Sequence, residues 1–259
     1  MMSVLVMKFG GSVLDTPQKF AYIAEIISEK KQQYDYVVVV VSAMGGLTNT
    51  LIKLANQVAK HPEKREVDML ISVGERISMS LLAMALKERK IKAISLTGSQ
   101  SGIITSNRHL NAQIITVQSQ RIQGHLEEGN VVVVAGFQGI SIDKEITTLG
   151  RGGADTSAVA LGVALKAKWV EFYKDVEGIY AEDPKKNSQA KLLKKLNFNE
   201  ALAIQGPLHP RSIVLASKNS LPLLIKTCKK ELWLRYPGTW VKNATKLQTK
   251  PIYEKTPLN

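Results

Sequence analysis

Five consecutive valines at 37–41 leave this chain few options. Valine is branched at Cβ and fits a pleated strand better than a helix. An unbroken apolar run lets neither face of that strand meet water, so it predicts a central parallel strand covered on both sides. Residues 131–135 predict a second strand of this kind, and 4–9, 93–96 and 170–173 predict shorter ones. Glycines leave several of them: Gly10-Gly11 after the first, Gly45-Gly46 after the valines, Gly136 after 135.

Helical spacing fills the intervals. After Asp15 or Thr16 as cap and Pro17 in the first turn, Phe20, Ile23, Ala24 and Ile27 fall on one helical face. Leu51, Leu54, Ala55 and Val58 repeat the pattern. One long helix is predicted over about 66–88 with Leu70, Val73, Ile77 and Leu81 inward, then a polar glycine loop at 97–106 and a helix near 116–126. A small-residue helix follows at 156–166. Beyond Pro184 come short helices near 199–203 and after Pro210, and strands near 223–225 and 232–234. Strand, glycine loop, helix, repeated, predicts an α/β protein: a three-layer αβα sandwich around a mainly parallel sheet. Without a Pro/Ser-rich linker, residues 1–259 read as one domain, with an N-lobe of about 1–165 and a C-lobe of about 166–259.

Composition narrows the function. Lys and Arg outnumber Asp and Glu by 35 to 22, a formal charge of +13 that favours anionic ligands. The charge is scattered, and no RNP, KH or zinc-finger pattern occurs, so nucleic acid is not the expected partner. One cysteine, Cys228, excludes an internal disulfide and a cysteine-rich metal site. The first charge comes at Lys8, too early for a secretory signal, and no apolar run is expected to reach membrane-spanning length, so a soluble, cytoplasmic protein is expected.

The glycine loops carry the chemistry. Gly150-Arg151-Gly152-Gly153 sits between an apolar strand and a helix. A loop that opens a helix presents unpaired N–H groups and the positive dipole end to an anion. Arg151 adds a fork suited to carboxylate or phosphate, and Asp155 a negative charge in the same turn. Lys8 ends a buried strand directly before two glycines and needs an anion there. Neither GxxxxGK[ST] nor GxGxxG occurs. Ser42, Thr48 and Asn49 surround the second glycine pair. Gly74, inside a helical pattern, suggests close approach by another backbone, with Glu75 beside it. Lys174-Asp175, Tyr180 and Lys185 lie in the loop after the 170–173 strand. His61, His109, His125 and His209 lack catalytic spacing and suit structural or solvent roles.

Taken together, KFGGS at 8–12, VSAMGGLTN at 41–49, SVGER at 72–76, TGSQSGIIT at 97–105, VVVVAGFQG at 131–139, TTLGRGGAD at 147–155, DVEGIYAEDP at 175–184 and LHPRS at 208–212 resemble the catalytic domain of the aspartokinases, in the amino acid kinase family. The resemblance implies ATP-dependent phosphorylation of the L-aspartate side chain to 4-phospho-L-aspartate, the first step toward lysine, threonine and methionine. It implies that Lys8 steadies the transferring phosphoryl group while Gly10 and Gly11 donate N–H groups. Arg151 would bind the substrate α-carboxylate with Ser42 and Thr48, and Glu75 would meet its amino end. Asp155 would organise Lys8, and Asp175, Tyr180 and Lys185 would line the nucleotide on the C-lobe side.

The pattern departs from the family in places. Ala154 stands at a usual serine and Val13 at a usual hydroxyl residue. Lys174 stands at a common threonine, Lys185 at a common arginine, and Gly206 where a nucleotide-contacting lysine is often found, for which Lys174 would compensate. The expected cofactors are ATP and Mg²⁺, with no protein metal ligand assigned. A homodimer through the kinase domain is compatible with the resemblance. Only 18 residues follow Val241, so no ACT domain, and no ACT-mediated feedback inhibition, is expected. The other readings are an amino acid kinase for a different small acidic substrate, or a non-catalytic ligand-binding or nucleic-acid-binding relative.

Overall fold

The computed structural model describes residues 3–184, 186–187, 189–204, 206–243 and 250–254. Its main sheet has eight strands: β1 (Val4–Phe9), β2 (Tyr36–Val41), β3 (Ala93–Leu96), β6 (Val131–Ala135), β9 (Val170–Lys174), β10 (Lys195–Leu196), β11 (Leu223–Thr227) and β12 (Thr239–Val241). Their order is β10-β12-β11-β9-β1-β2-β6-β3, parallel except where β11 meets β12. The valine run is thus central, between β1 and β6, as its composition requires.

Alternation along the strands builds two cores. Val6, Val38, Val40, Val132 and Val134 face one layer, formed by α5 (Gln120–Glu127), α6 (Gly153–Ala164), α7 (Phe198–Ala203) and α8 (Pro210–Lys218). Leu5, Met7, Val37, Val39, Val131 and Val133 face the other, formed by α1 (Pro17–Gln33) and α4 (Val73–Glu88). The result is an α/β sandwich with helices on both faces. The same parity sends Lys8 and Lys174 toward the α6 layer, two residues beyond Val6 and Phe172 respectively. Helix α6 is buried over Gly153–Val163, so small residues there let it lie close to the sheet.

Several expectations change. The segment 66–88 is two helices, α3 (Lys64–Ile71) and α4, broken at Ser72. Its inward face carries Asp68, Ile71, Glu75, Met79, Leu82 and Leu86, whereas Val73 and Ile77 are 38% and 39% exposed and Leu70 and Leu81 half-buried. The apolar stripe misled because two acids sit on the inner face with hydrogen-bonding partners of their own. By length and composition Lys64–Glu88, 25 residues, is also apolar enough to cross a bilayer, contrary to the expectation from the sequence; half of its most apolar 18-residue window is buried in the fold, and Asp68 and Glu75 are buried too. Helix α2 (Leu47–Val58) forms but buries none of its residues, and Val58 is 89% exposed.

A second sheet, β5-β4-β7-β8, replaces much of the expected loop and helix between 97 and 148. Its strands are β4 (Ile103–Thr105), β5 (Ile114–Val117), β7 (Gln138–Ser141) and β8 (Ile146–Thr148). Helix α5 is correspondingly shorter than expected. Lys230–Leu232 is a 3₁₀ turn with Leu234 fully exposed, so the strand expected at 232–234 does not form, and the last strand among the described residues is β12.

Candidate active site

Every parallel strand around β1 ends at one edge, and the glycine loops leave from that edge, where open α/β sheets hold ligands. There Lys8 Nζ lies 2.7 Å from Asp155 Oδ1, and Lys174 Nζ lies 3.2 and 3.0 Å from the two Asp155 oxygens. Asp155 occupies the first turn of α6. Lys8 and Asp155 are 4% and 5% exposed, so these charges interact with little screening by water. Burial lowers the Lys8 pKa to about 8; Asp155 pulls it back up and Lys174 adds to the lowering. Burial alone would raise the Asp155 pKa, but the two lysines outweigh it and hold that carboxyl below its ordinary value. Two cations on one anion leave a net positive charge at the sheet edge.

The first glycine loop turns immediately above Lys8. Gly10 N–H donates to the Tyr173 carbonyl at 3.4 Å, so it is less free than expected, whereas Gly11 N–H has no partner among the described residues. The atoms nearest a Cβ on Gly10 would be Lys8 Nζ at 3.7 Å, Lys174 Cδ and the Tyr173 carbonyl oxygen, all at ordinary contact distance. Its smallness keeps the space beside both ammonium groups open. Gly11 is different: a Cβ there would lie 2.7 Å from the Ala43 carbonyl oxygen.

Ala43 links this loop to Glu75. Its N–H donates to Glu75 Oε1 at 2.9 Å, and a Cβ on Gly74 would strike the Ala43 side chain at 2.8 Å. The close approach suggested by Gly74 is therefore made by the loop after β2. Glu75 Oε2 is buried with no hydrogen-bond partner among the described residues. A buried acceptor in this condition costs about 1–3 kcal/mol unless a donor arrives. Burial raises the Glu75 pKa to about 7 against the hydrogen bonds from Ala43 and its own backbone N–H and the charge of Lys8. Its place in the first turn of α4 favours the anion. Ser42 follows β2 and Thr48 lies in the first turn of α2, both half-buried.

Arg151 is exposed, with no ion pair or hydrogen bond among the described residues, on a turn whose neighbours Gly150 and Gly152 have φ of 72° and 71°. His209 packs on that turn: a Cβ on Gly152 would lie 2.2 Å from the His209 Cβ. A cavity of about 420 Å³, walled by Gly152, Leu202, Gly206, Leu208 and His209, reaches Asp155 from the α7–α8 side. Asp175 is exposed at the exit of β9, and the half-buried Tyr180 donates its hydroxyl to Glu177 at 3.0 Å. Lys185 lies outside the described residues. The structural reading of the histidines fits His109 on Asp68, His125 on Glu128 and His209 as cap of α8, while His61 is exposed.

Sequence reasoning missed Asp68 and Arg211. Asp68, wholly buried, accepts from Thr148 Oγ1 at 2.5 Å and Leu110 N–H at 3.2 Å and pairs with His109 Nδ1 at 2.7 Å. It shares a helical face with Ile71 and Glu75, and that phase was the available signal. No group of three or more metal-ligating side chains occurs among the described residues. A magnesium ion would suit Asp155 only as one carried largely by nucleotide phosphates and water, which is its usual mode.

A buried carboxylate steadying two lysines, beside a glycine turn and helix N-termini, is an arrangement chemically suited to holding anions. The model of the amino acid kinase family matches residues 3–229, and the chain belongs to that family. It is 45% identical over 230 residues to the aspartokinase of Geobacillus stearothermophilus, a match spanning 87% of this chain and 56% of that relative. The aspartate kinase of Synechocystis shares the fold with a TM-score of 0.80 at 39% identity, over 98% of this chain and 41% of the other. Escherichia coli aspartokinase III, solved in complex with aspartate and ADP, gives 0.84 at 26% identity, over 94% and 65%. The chain thus spans about half the length of the curated relatives it matches (56%).

Proposed function

We propose that this chain transfers the γ-phosphoryl group of ATP to the side-chain carboxylate of L-aspartate. The observation that carries the reading is the Lys8–Asp155–Lys174 cluster, buried at the sheet edge beside an open glycine turn. The similarity to aspartokinases, one of them bound to aspartate and ADP, supports the choice of ligands.

The acceptor carboxylate has an ordinary pKa near 3.9, so it is already ionised at neutral pH and needs no general base. The obstacle is bringing two anions together in line, and catalysis by positioning and charge neutralisation meets it. Lys8 and the N–H of Gly11, with Gly10 leaving room, receive the transferring group. Asp155 holds Lys8 in place. Lys174 neutralises nucleotide phosphate from the β9 side, with Asp175, Tyr180 and Lys185 along the nucleotide. Arg151 takes the α-carboxylate with Ser42 and Thr48, and Glu75 supplies the acceptor for the ammonium group that its unpartnered oxygen lacks. Magnesium, carried by the nucleotide, would supply further neutralisation of phosphate charge.

Hydroxylamine trapping of the acyl phosphate, with ATP and Mg²⁺ and a panel of small acids, tests the assignment. Aspartate is expected to give the highest kcat/KM. Equal or greater turnover of glutamate or another acid overturns the substrate, and absence of any hydroxamate overturns the reaction.

A further inference from the structure

Arg211, in the first turn of α8, touches three separate parts of the chain. Its guanidinium donates to the carbonyls of Leu149 and Ala112 and to both oxygens of Glu254, the NH2–Oε2 distance being 2.8 Å. Leu149 is the residue immediately before the Gly150–Gly152 turn. Glu254 is itself fixed: its Oε2 accepts from Ile114 N–H at 2.9 Å, and its N–H donates to the Ile114 carbonyl at 3.1 Å. Two residues earlier, Ile252 exchanges hydrogen bonds of 2.8 and 2.7 Å with the side chain of Asn219. The 250–254 segment is therefore a strap tied to α8 and β5. Arg211 and Glu254 side chains are 18% and 9% exposed.

A planar fork that satisfies two carbonyls and a carboxylate at once has little freedom to move. It therefore fixes where Leu149 ends and the turn begins. Asp68 separately holds Thr148, the residue before Leu149. The turn has no other restraint of this strength from a charged side chain among the described residues, and its exposed product is Arg151. We propose that Arg211, braced by Glu254, is a positioning residue that sets the Gly150–Gly152 turn and thereby aims Arg151. It touches no substrate. The catalytic consequence rests on the reading of Arg151 as the carboxylate ligand; the structural consequence does not.

The test compares Arg211→Lys and Glu254→Gln with the unaltered chain. Lysine keeps the charge but cannot reach three acceptors in one plane, and Glu254→Gln leaves Arg211 without its brace. Displacing a substrate-holding group by about 1 Å can cost up to about 100-fold, so KM for aspartate is expected to rise about 10-fold in either variant. KM for ATP is expected to change by less than about twofold, since no Arg211 contact reaches the β9 side. Independently of activity, trypsin is expected to cut after Arg151 faster in both variants, with amide exchange accelerated at 149–152 and little changed in β1 and β2. Parallel changes in both KM values, or unchanged cleavage and exchange at the turn in a folded variant, overturn the proposal. If Arg211→Lys does not fold, Glu254→Gln decides by the same readouts. Altered cleavage with no aspartate turnover even by the unaltered chain would uphold the positioning role and discard the substrate reading alone.

Discussion

Lys8 Nζ and Asp155 Oδ1 meet at 2.7 Å across the boundary between the first strand and the buried helix α6, and Lys174 closes on the same carboxylate from β9. Three elements, β1, α6 and β9, are locked through one acid. Removing one partner of a buried pair leaves an uncompensated charge, which typically costs about 3–5 kcal/mol. Asp155→Ala abandons two ammonium groups and is expected to be the most destabilising change at the site. Lys8→Ala leaves Asp155 still paired with Lys174, so it is expected to melt closer to the unaltered chain while losing about 10²–10³-fold in kcat, the usual scale for one electrostatic donor. Thermal melts and kcat on the two variants check the order.

The paired glycines separate space for ligand from space for the fold. Gly10→Ala meets only ordinary contacts, so its Tm is expected to stay within a few degrees while activity falls at least about 10-fold through obstruction beside Lys8. Gly11→Ala drives a Cβ into the Ala43 carbonyl and is expected to cost about 1–3 kcal/mol of stability. Urea denaturation of both variants, set beside their rates, distinguishes the two roles.

Glu75 and Lys8 predict a bell-shaped pH profile. Glu75 must be ionised to receive an ammonium group, so kcat/KM is expected to rise with pH through about 7. Lys8 must be protonated to neutralise phosphate, so kcat/KM is expected to fall as pH passes about 8. Glu75→Gln should abolish the acidic limb and raise KM for aspartate. A flat profile between 6 and 9 would contradict these roles.

The same carboxyl makes stability depend on pH in a stated direction. With a folded pKa of about 7 against 4.5 in a model peptide, the folded state holds the extra proton, so this group's contribution falls as pH rises from 4.5 to 7. Glutamine in its place, uncharged at every pH, is expected to raise stability at pH 8 by roughly 3 kcal/mol while impairing substrate binding. Chemical denaturation at pH 5 and pH 8 measures the difference.

What was legible in the sequence was whatever local pattern determines. The valine strands, Lys8 before its glycines and Asp155 at a helix start depend on neighbours a few residues away. The helical phase could have turned Asp68 inward, but its partner, like that of Arg211, was not legible: Thr148 and Leu149 lie 80 and 62 residues off, and side-chain bonds of that span leave no periodic trace. The short strands of the second sheet, three or four residues each, offered too little alternation to separate them from loop. The 66–88 segment misled for a related reason: apolar spacing identifies a face, but partners for Asp68 and Glu75 determine which face turns inward.

Transfer of the γ-phosphoryl group from labelled ATP to L-aspartate, followed in the unaltered chain and in Lys8→Ala, tests the account at its centre. The expected result is a hydroxylamine-sensitive phosphorylated aspartate that depends on Mg²⁺ and drops at least about 100-fold with Lys8→Ala. Undiminished transfer in Lys8→Ala, or label that never reaches the aspartate side chain, would contradict it.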